Sequence, residues 1–75
     1  MFNKGDLVYI PQGVTLIGVQ GADYVYDITS KPELAVFVRY IKDDAEIVTT
    51  NGSLWSVDSR KIYFNKNPEL ENACR

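Results

Sequence analysis

The sequence predicts an all-β fold, a small barrel of about five antiparallel strands with a short helical turn before the last. Three observations carry that expectation. Hydrophobic residues fill 45% of the 75 positions and aromatics 12%, with Val, Ile, Tyr and Phe prominent, the types that suit a pleated, half-buried surface. Short apolar runs recur between clusters of Gly, Pro, Asn and Asp, as strands separated by turns do. Between residues 11 and 32, where β-branched residues and glycines are frequent, no i, i+3, i+4 apolar stripe of an amphipathic helix is sustained. A chain of this length forms one domain, read as residues 1–66 with a tail at 67–75. It buries only about 60% of the surface that its unfolded form exposes, so the large side chains are expected inside.

Gly5-Asp6 is a turn-type pair ahead of Leu7-Val8-Tyr9-Ile10, and Pro11 ends that run by removing a ladder donor. A first strand is therefore predicted at 7–10, with Val8 and Ile10 on one face and Leu7 and Tyr9 on the other. From 11 to 32 the pattern is less regular. Gly13, Gly18 and Gly21 interrupt apolar pieces at 14–19 and 24–28, and Thr29-Ser30-Lys31-Pro32 closes the segment. This predicts a long excursion with short or bent strands, the kind of ordered connection that often carries function.

Residues 35–42 form the clearest strand, with Val36, Val38 and Tyr40 on one face and Phe37, Arg39 and Ile41 on the other, which Arg39 marks as the wetter. A three-residue loop at Asp43-Asp44-Ala45 sets Lys42 against Glu46, Ile41 against Ile47 and Tyr40 against Val48. A two-residue loop at Asp43-Asp44 sets Tyr40 against Ile47 instead. The first register keeps apolar partners together and adds an opposite-charge pair. Asn51-Gly52 predicts a two-residue hairpin, because both central positions of a type I′ turn need positive φ. That turn places Trp55 opposite Val48, with Tyr40, Val48 and Trp55 on one inward face. Asp58 suits the cap of a single helical turn over Ser59-Arg60-Lys61, and Ile62-Tyr63-Phe64 returns to strand. Asn67-Pro68-Glu69 has the order of a helix start; so short a helix frays unless Leu70 docks.

The opening KGDLVYIP, the hairpin TTNGSLWSV and the closing VDSRKIYF resemble the lead strand, distal hairpin and short-helix-to-last-strand passage of the SH3-like barrel, over residues 4–65. The resemblance implies that barrel. It does not imply binding of proline-rich peptides, because the ALYDY-type stretch and paired tryptophans of eukaryotic signalling SH3 domains are missing. Short, acidic and without a catalytic signature, the chain also resembles the small accessory proteins of tailed bacteriophages.

With no histidine and one cysteine, Cys74, Ser-His and Cys-His pairs and Cys/His zinc sites are excluded. The expectation is a non-enzymatic protein with no cofactor and no metal. A formal charge of −2 argues against strong binding to phosphate backbones. The single cysteine forms no internal disulfide and fits a reducing cytoplasm, that of the host if the chain is viral. The opening apolar run is too brief for a signal peptide core or a membrane span. Asp43 and Asp44 are read as solvated turn carboxylates, and Trp55 as core, with Trp55→Ala costing roughly 3–5 kcal/mol.

Binding is expected in the excursion. Tyr24 and Tyr26 alternate with Asp23, Val25 and Asp27, and tyrosines flanked by acids suit a basic or amphipathic protein partner. The alternative is that one ring packs on the barrel while the aspartates keep the loop soluble. A second candidate surface is a modest basic patch of Arg39, Arg60 and Lys61, with Lys66, near Tyr63 and Phe64, for single-stranded or structured nucleic acid.

Overall fold

The first strand, β1, forms at Leu7–Ile10, between the Gly5-Asp6 turn and Pro11 as expected. Val8 and Ile10 are fully buried while Leu7 lies outside, so the alternation holds there. The structure is a computed structural model that describes residues 1–65; the expected helix at 67–71, Lys66 and Cys74 lie outside the described residues.

The described residues are all-β, with seven strands against the expected five or so. After β1 come β2 (Thr15–Gln20), β3 (Asp23–Ile28), β4 (Glu33–Ile41), β5 (Asp44–Thr49), β6 (Leu54–Asp58) and β7 (Tyr63–Phe64). They form one open antiparallel sheet in the order β3-β2-β6-β5-β4-β1-β7. One face holds the core: Val8, Ile10, Leu16, Ala35, Phe37, Ala45, Ile47, Val57 and Ile62. Each buried Val, Leu, Ile or Phe side chain among them contributes about 1.5–3 kcal/mol relative to exposure.

The two additional strands come from the excursion, which is a regular hairpin of six-residue strands. Gly21 turns it, with φ +66°, the left-handed backbone that a tight turn needs. Gly18 sits inside β2, and its contribution is space: a Cβ there would lie 3.1 Å from the Trp55 ring. At the base, buried Thr29 fastens the hairpin to the body. Its Oγ1 donates to the Pro11 carbonyl at 2.7 Å and accepts from the Val14 amide at 3.0 Å.

β4 shows the reverse of its expected faces as far as Phe37 and the expected ones from Arg39 onward. Ala35 and Phe37 are buried and Val36 is exposed; a bulge between Phe37 and Arg39 then switches the alternation, so that Tyr40 pairs with buried Ala45 and Ile41 with Asp44. Phe37 pairs with Ile47 and Arg39 with Glu46, so these two residues of β4 face opposite ways although two positions apart. Arg39 thus says nothing about the face that Phe37 occupies.

Both turns of the meander differ from expectation. The first is a two-residue loop at Lys42-Asp43, with Lys42 at φ +56°, so that Ile41 meets Asp44 and Tyr40 meets Ala45. Ala45, assigned to the loop by the sequence, is fully buried. The expected opposite-charge pair exists with a different cation: Arg39 Nε donates to Glu46 Oε1 at 2.9 Å. The second turn spans Thr50-Asn51-Gly52, closed by the Thr49 amide on the Ser53 carbonyl at 2.9 Å. Only Gly52 takes positive φ there, +86°, and the Asn51 side chain accepts from the Ser53 amide. This shifts β6 by one residue, so Leu54 meets Val48 and Trp55 meets Ile47. Trp55 stays on the core side, whereas Val48 turns outward.

The passage after β6 follows the sequence reading. Ser59–Lys61 is a single 3₁₀ turn whose cap, Asp58, accepts from the Arg60 amide. At the far end Phe2 packs on Phe64 and Phe37 with ring centroids 4.4 and 5.6 Å away. The Phe2 amide donates to the Tyr40 hydroxyl at 2.8 Å.

Candidate functional site

The β2–β3 hairpin stands at one end of the sheet, and its ladder with β6 has a single paired position, Ile17 with Ser56. Along β3 the tyrosines share a face with Ile28, and their partners across the hairpin are Val19, Ile17 and Thr15. Neither tyrosine ring packs on the body: Tyr24 is 69% exposed, Tyr26 66% and Ile28 61%. Asp23 and Asp27 occupy the other face of β3, the side on which Leu16 and Gly18 turn inward. The acids and tyrosines therefore bracket the strand edge from its two sides.

The sequence reading missed how far this surface extends. Leu7 pairs with Val36, Val36 with Val48, and Val48 with Leu54. The register of Ile17 with Ser56 brings Val19 alongside Leu54, and Val19 pairs with Tyr24. An apolar row thus crosses the outer face from β1 to β3, its most exposed members being Val19, Leu54 and Tyr24. The i, i+2 spacing of Ile28 behind Tyr26 was a signal for part of it. Val48 and Leu54 were hidden by the register shift at the second turn.

Two clefts open near the hairpin. One of about 320 Å³ lies between it and the second turn of the meander, lined by Gly18, Val19, Val25, Ser53, Leu54 and Trp55. The other, of about 470 Å³, lies between the stretch after β1 and the 3₁₀ turn, where Pro11, Val14, Asp58, Lys61 and Tyr63 line it.

The basic candidates sit on two elements, Arg39 on β4 and Arg60 and Lys61 on the 3₁₀ turn. Arg39 is bonded to Glu46 on the outer face of β4 and β5. Arg60 and Lys61 lie on the 3₁₀ turn, where the Arg60 guanidinium contacts both carboxylate oxygens of Asp58. That guanidinium, followed by the Arg60 backbone amide, holds the Asp58 carboxyl down at about 2 from its ordinary 3.8. The same pair pushes the Arg60 pKa up. Both arginines have their charge matched within the chain.

No group of three or more His, Cys, Asp or Glu side chains is placed to hold a metal among the described residues. No helix of the described residues is long and apolar enough to cross a membrane. Comparisons with protein-family models, with curated proteins and with solved structures gave no match.

Proposed function

We propose that the chain is a small non-enzymatic protein-interaction or assembly module whose partner docks on the β2–β3 hairpin at Tyr24, Tyr26, Asp23 and Asp27. The observation that carries this reading is the exposure of Tyr24, Tyr26 and Ile28 together on a terminal strand. Tyrosine offers a large contact area and a hydroxyl at low entropy cost, which is why it is enriched in interface cores.

We read the framework as an SH3-like barrel, with the hairpin as an insertion after the lead strand. The element order supports this: lead strand, hairpin, three-strand meander, one 3₁₀ turn, last strand. Leu16 and Val8 share one core although three strands separate β2 from β1 in the sheet, which a flat sheet of ~4.8 Å spacing does not permit. An accessory role in a tailed bacteriophage, in the host cytoplasm, fits the small acidic domain.

The test is capture of partners from host lysate by the wild-type chain and by a Tyr24→Ala/Tyr26→Ala variant. Partners held by the wild type and lost by the variant are expected; unchanged partners overturn the surface assignment. A gel shift with single-stranded RNA that weakens with salt and vanishes in Arg39→Ala/Arg60→Ala/Lys61→Ala would replace this reading with a nucleic-acid one.

A further inference from the structure

We infer that the free edge of β3 takes up an extended basic segment as an added antiparallel strand, with the pattern basic, apolar, any, apolar, basic. This rests on the reading above that the hairpin is the docking surface, and it specifies the partner's conformation and chemistry.

The backbone sets the edge. In an antiparallel ladder alternate residues turn both their amide and carbonyl toward one neighbour. The Thr29 amide bonds the Val14 carbonyl, and the Thr29 carbonyl accepts from the Gly13 amide, so the odd positions of β3 face β2. Tyr24, Tyr26 and Ile28 turn theirs away from the sheet, where β3 has no neighbour. The Ile28 amide confirms the direction, because it is taken by the adjacent Asp27 Oδ1 at 2.9 Å. The open stretch is therefore Tyr24 to Tyr26, with Asp27 closing its end, as natural edge strands are often guarded. The opposite edge of the sheet, β7, has only two residues.

Charge selects the occupant. Asp23 and Asp27 flank this stretch on one face, ~13 Å apart along an extended strand, and neither forms an ion pair among the described residues. A strand added opposite Val25 places side chains against Asp23 and Asp27 at its first and fifth positions. Its second and fourth positions lie beside the exposed tyrosines. Cations at one pair and apolar groups at the other complete both faces.

A second copy of the chain fits poorly. Pairing of two β3 strands about Val25 sets each Asp23 directly against Asp27 of the other copy, which is destabilising. Pairing about Tyr26 requires the Ile28 amide that Asp27 already occupies.

The test uses a synthetic peptide, Lys-Val-Thr-Val-Lys between Gly-Ser flanks, titrated into the intact chain with backbone amide shifts and amide exchange as readouts. Saturable binding with protection of the Tyr24 and Tyr26 amides is expected. N-methylation of the two valines, whose backbones meet Tyr24 and Tyr26, should abolish it, and N-methylation of the threonine should not. Asp23→Lys/Asp27→Lys should weaken the peptide about tenfold and favour its Glu-Val-Thr-Val-Glu counterpart. Binding that maps to the tyrosines but ignores valine methylation overturns strand addition and leaves the docking surface standing. Shifts confined to other strands, or no binding at millimolar peptide, overturn the proposal. So does a dimer at micromolar concentration that Tyr24→Ala/Tyr26→Ala disperses.

Discussion

Gly18→Val tests the least obvious contact in the fold, the seating of Trp55 on the β2 backbone. A Cβ at this position would meet Cε3 and Cζ3 of the Trp55 ring at 3.1 Å, and the ring is held from behind by the core around Ile47. Gly18 has no positive φ to preserve, so a larger residue brings a strand-propensity gain over glycine of ~0.5–1 kcal/mol. For Gly18→Ala that gain offsets a displacement of a few tenths of an ångström, and stability should change by less than about 1 kcal/mol. For Gly18→Val the two added methyl groups force the ring out of its seat, at a net cost of ~1–3 kcal/mol. In a domain of this size each kcal/mol moves Tm by about 4–8 °C. Urea unfolding of both variants, followed by emission of the single tryptophan, reads the effect directly. The expected result is a lower midpoint and red-shifted native emission for valine, with alanine near the wild type. Equal stability and emission for valine and wild type would refute the packing argument.

Three further outcomes follow from the same geometry. Phe37→Ala should cost ~3–5 kcal/mol and exceed Trp55→Ala, since Phe37 is 2% exposed and Trp55 only partly buried against the core; chemical denaturation of the two variants ranks them. Thr29→Val should cost ~1–3 kcal/mol, because it strips a buried hydroxyl bonded to Pro11 and Val14 and leaves their groups without that partner; amide exchange of Val14 should accelerate with it. The pairing of Asp58 with Arg60 keeps the folded-state pKa at about 2, below its ordinary 3.8. Its stabilisation is complete above the ordinary value and is lost as pH falls through the folded one. Midpoints of wild type and Asp58→Asn should therefore converge between about pH 4 and pH 2, and a constant gap would refute the linkage.

The sequence was most legible where a residue type leaves one backbone option. Pro11 and Gly5-Asp6 bounded β1, and Asp58 announced the 3₁₀ turn by its cap. Register was less legible, because it depends on loop lengths that similar residues can satisfy in several ways. Asn51-Gly52 favours a two-residue turn on propensity, yet the Asn51 carboxamide and Gly52 also satisfy a three-residue turn, and the core chose that one to bring Trp55 against Ile47. The faces of β4 were ambiguous for a related reason. Val36, Phe37 and Val38 are all apolar, and Arg39 misled because the bulge turns it away from the Phe37 side. In the hairpin, three glycines suggested irregularity, although Gly21 makes the turn and Gly18 makes room for a ring. Alternation showed the tyrosines and aspartates as a cluster on opposite faces of one strand, but that this strand is a free edge is a property of sheet order.

Because Val38 stands outside the one-to-one pairing of β4 with β5, chain length and side-chain facing are uncoupled at that point. Removing Val38 leaves Phe37 against Ile47 and Arg39 against Glu46, a regular ladder with the same core. A deletion elsewhere in the strand would turn every later side chain inside out. What the loss of Val38 takes away is bend and local twist. Related chains can therefore differ by one residue here without exchanging interior for surface, and a gap in an alignment across β4 belongs at this position.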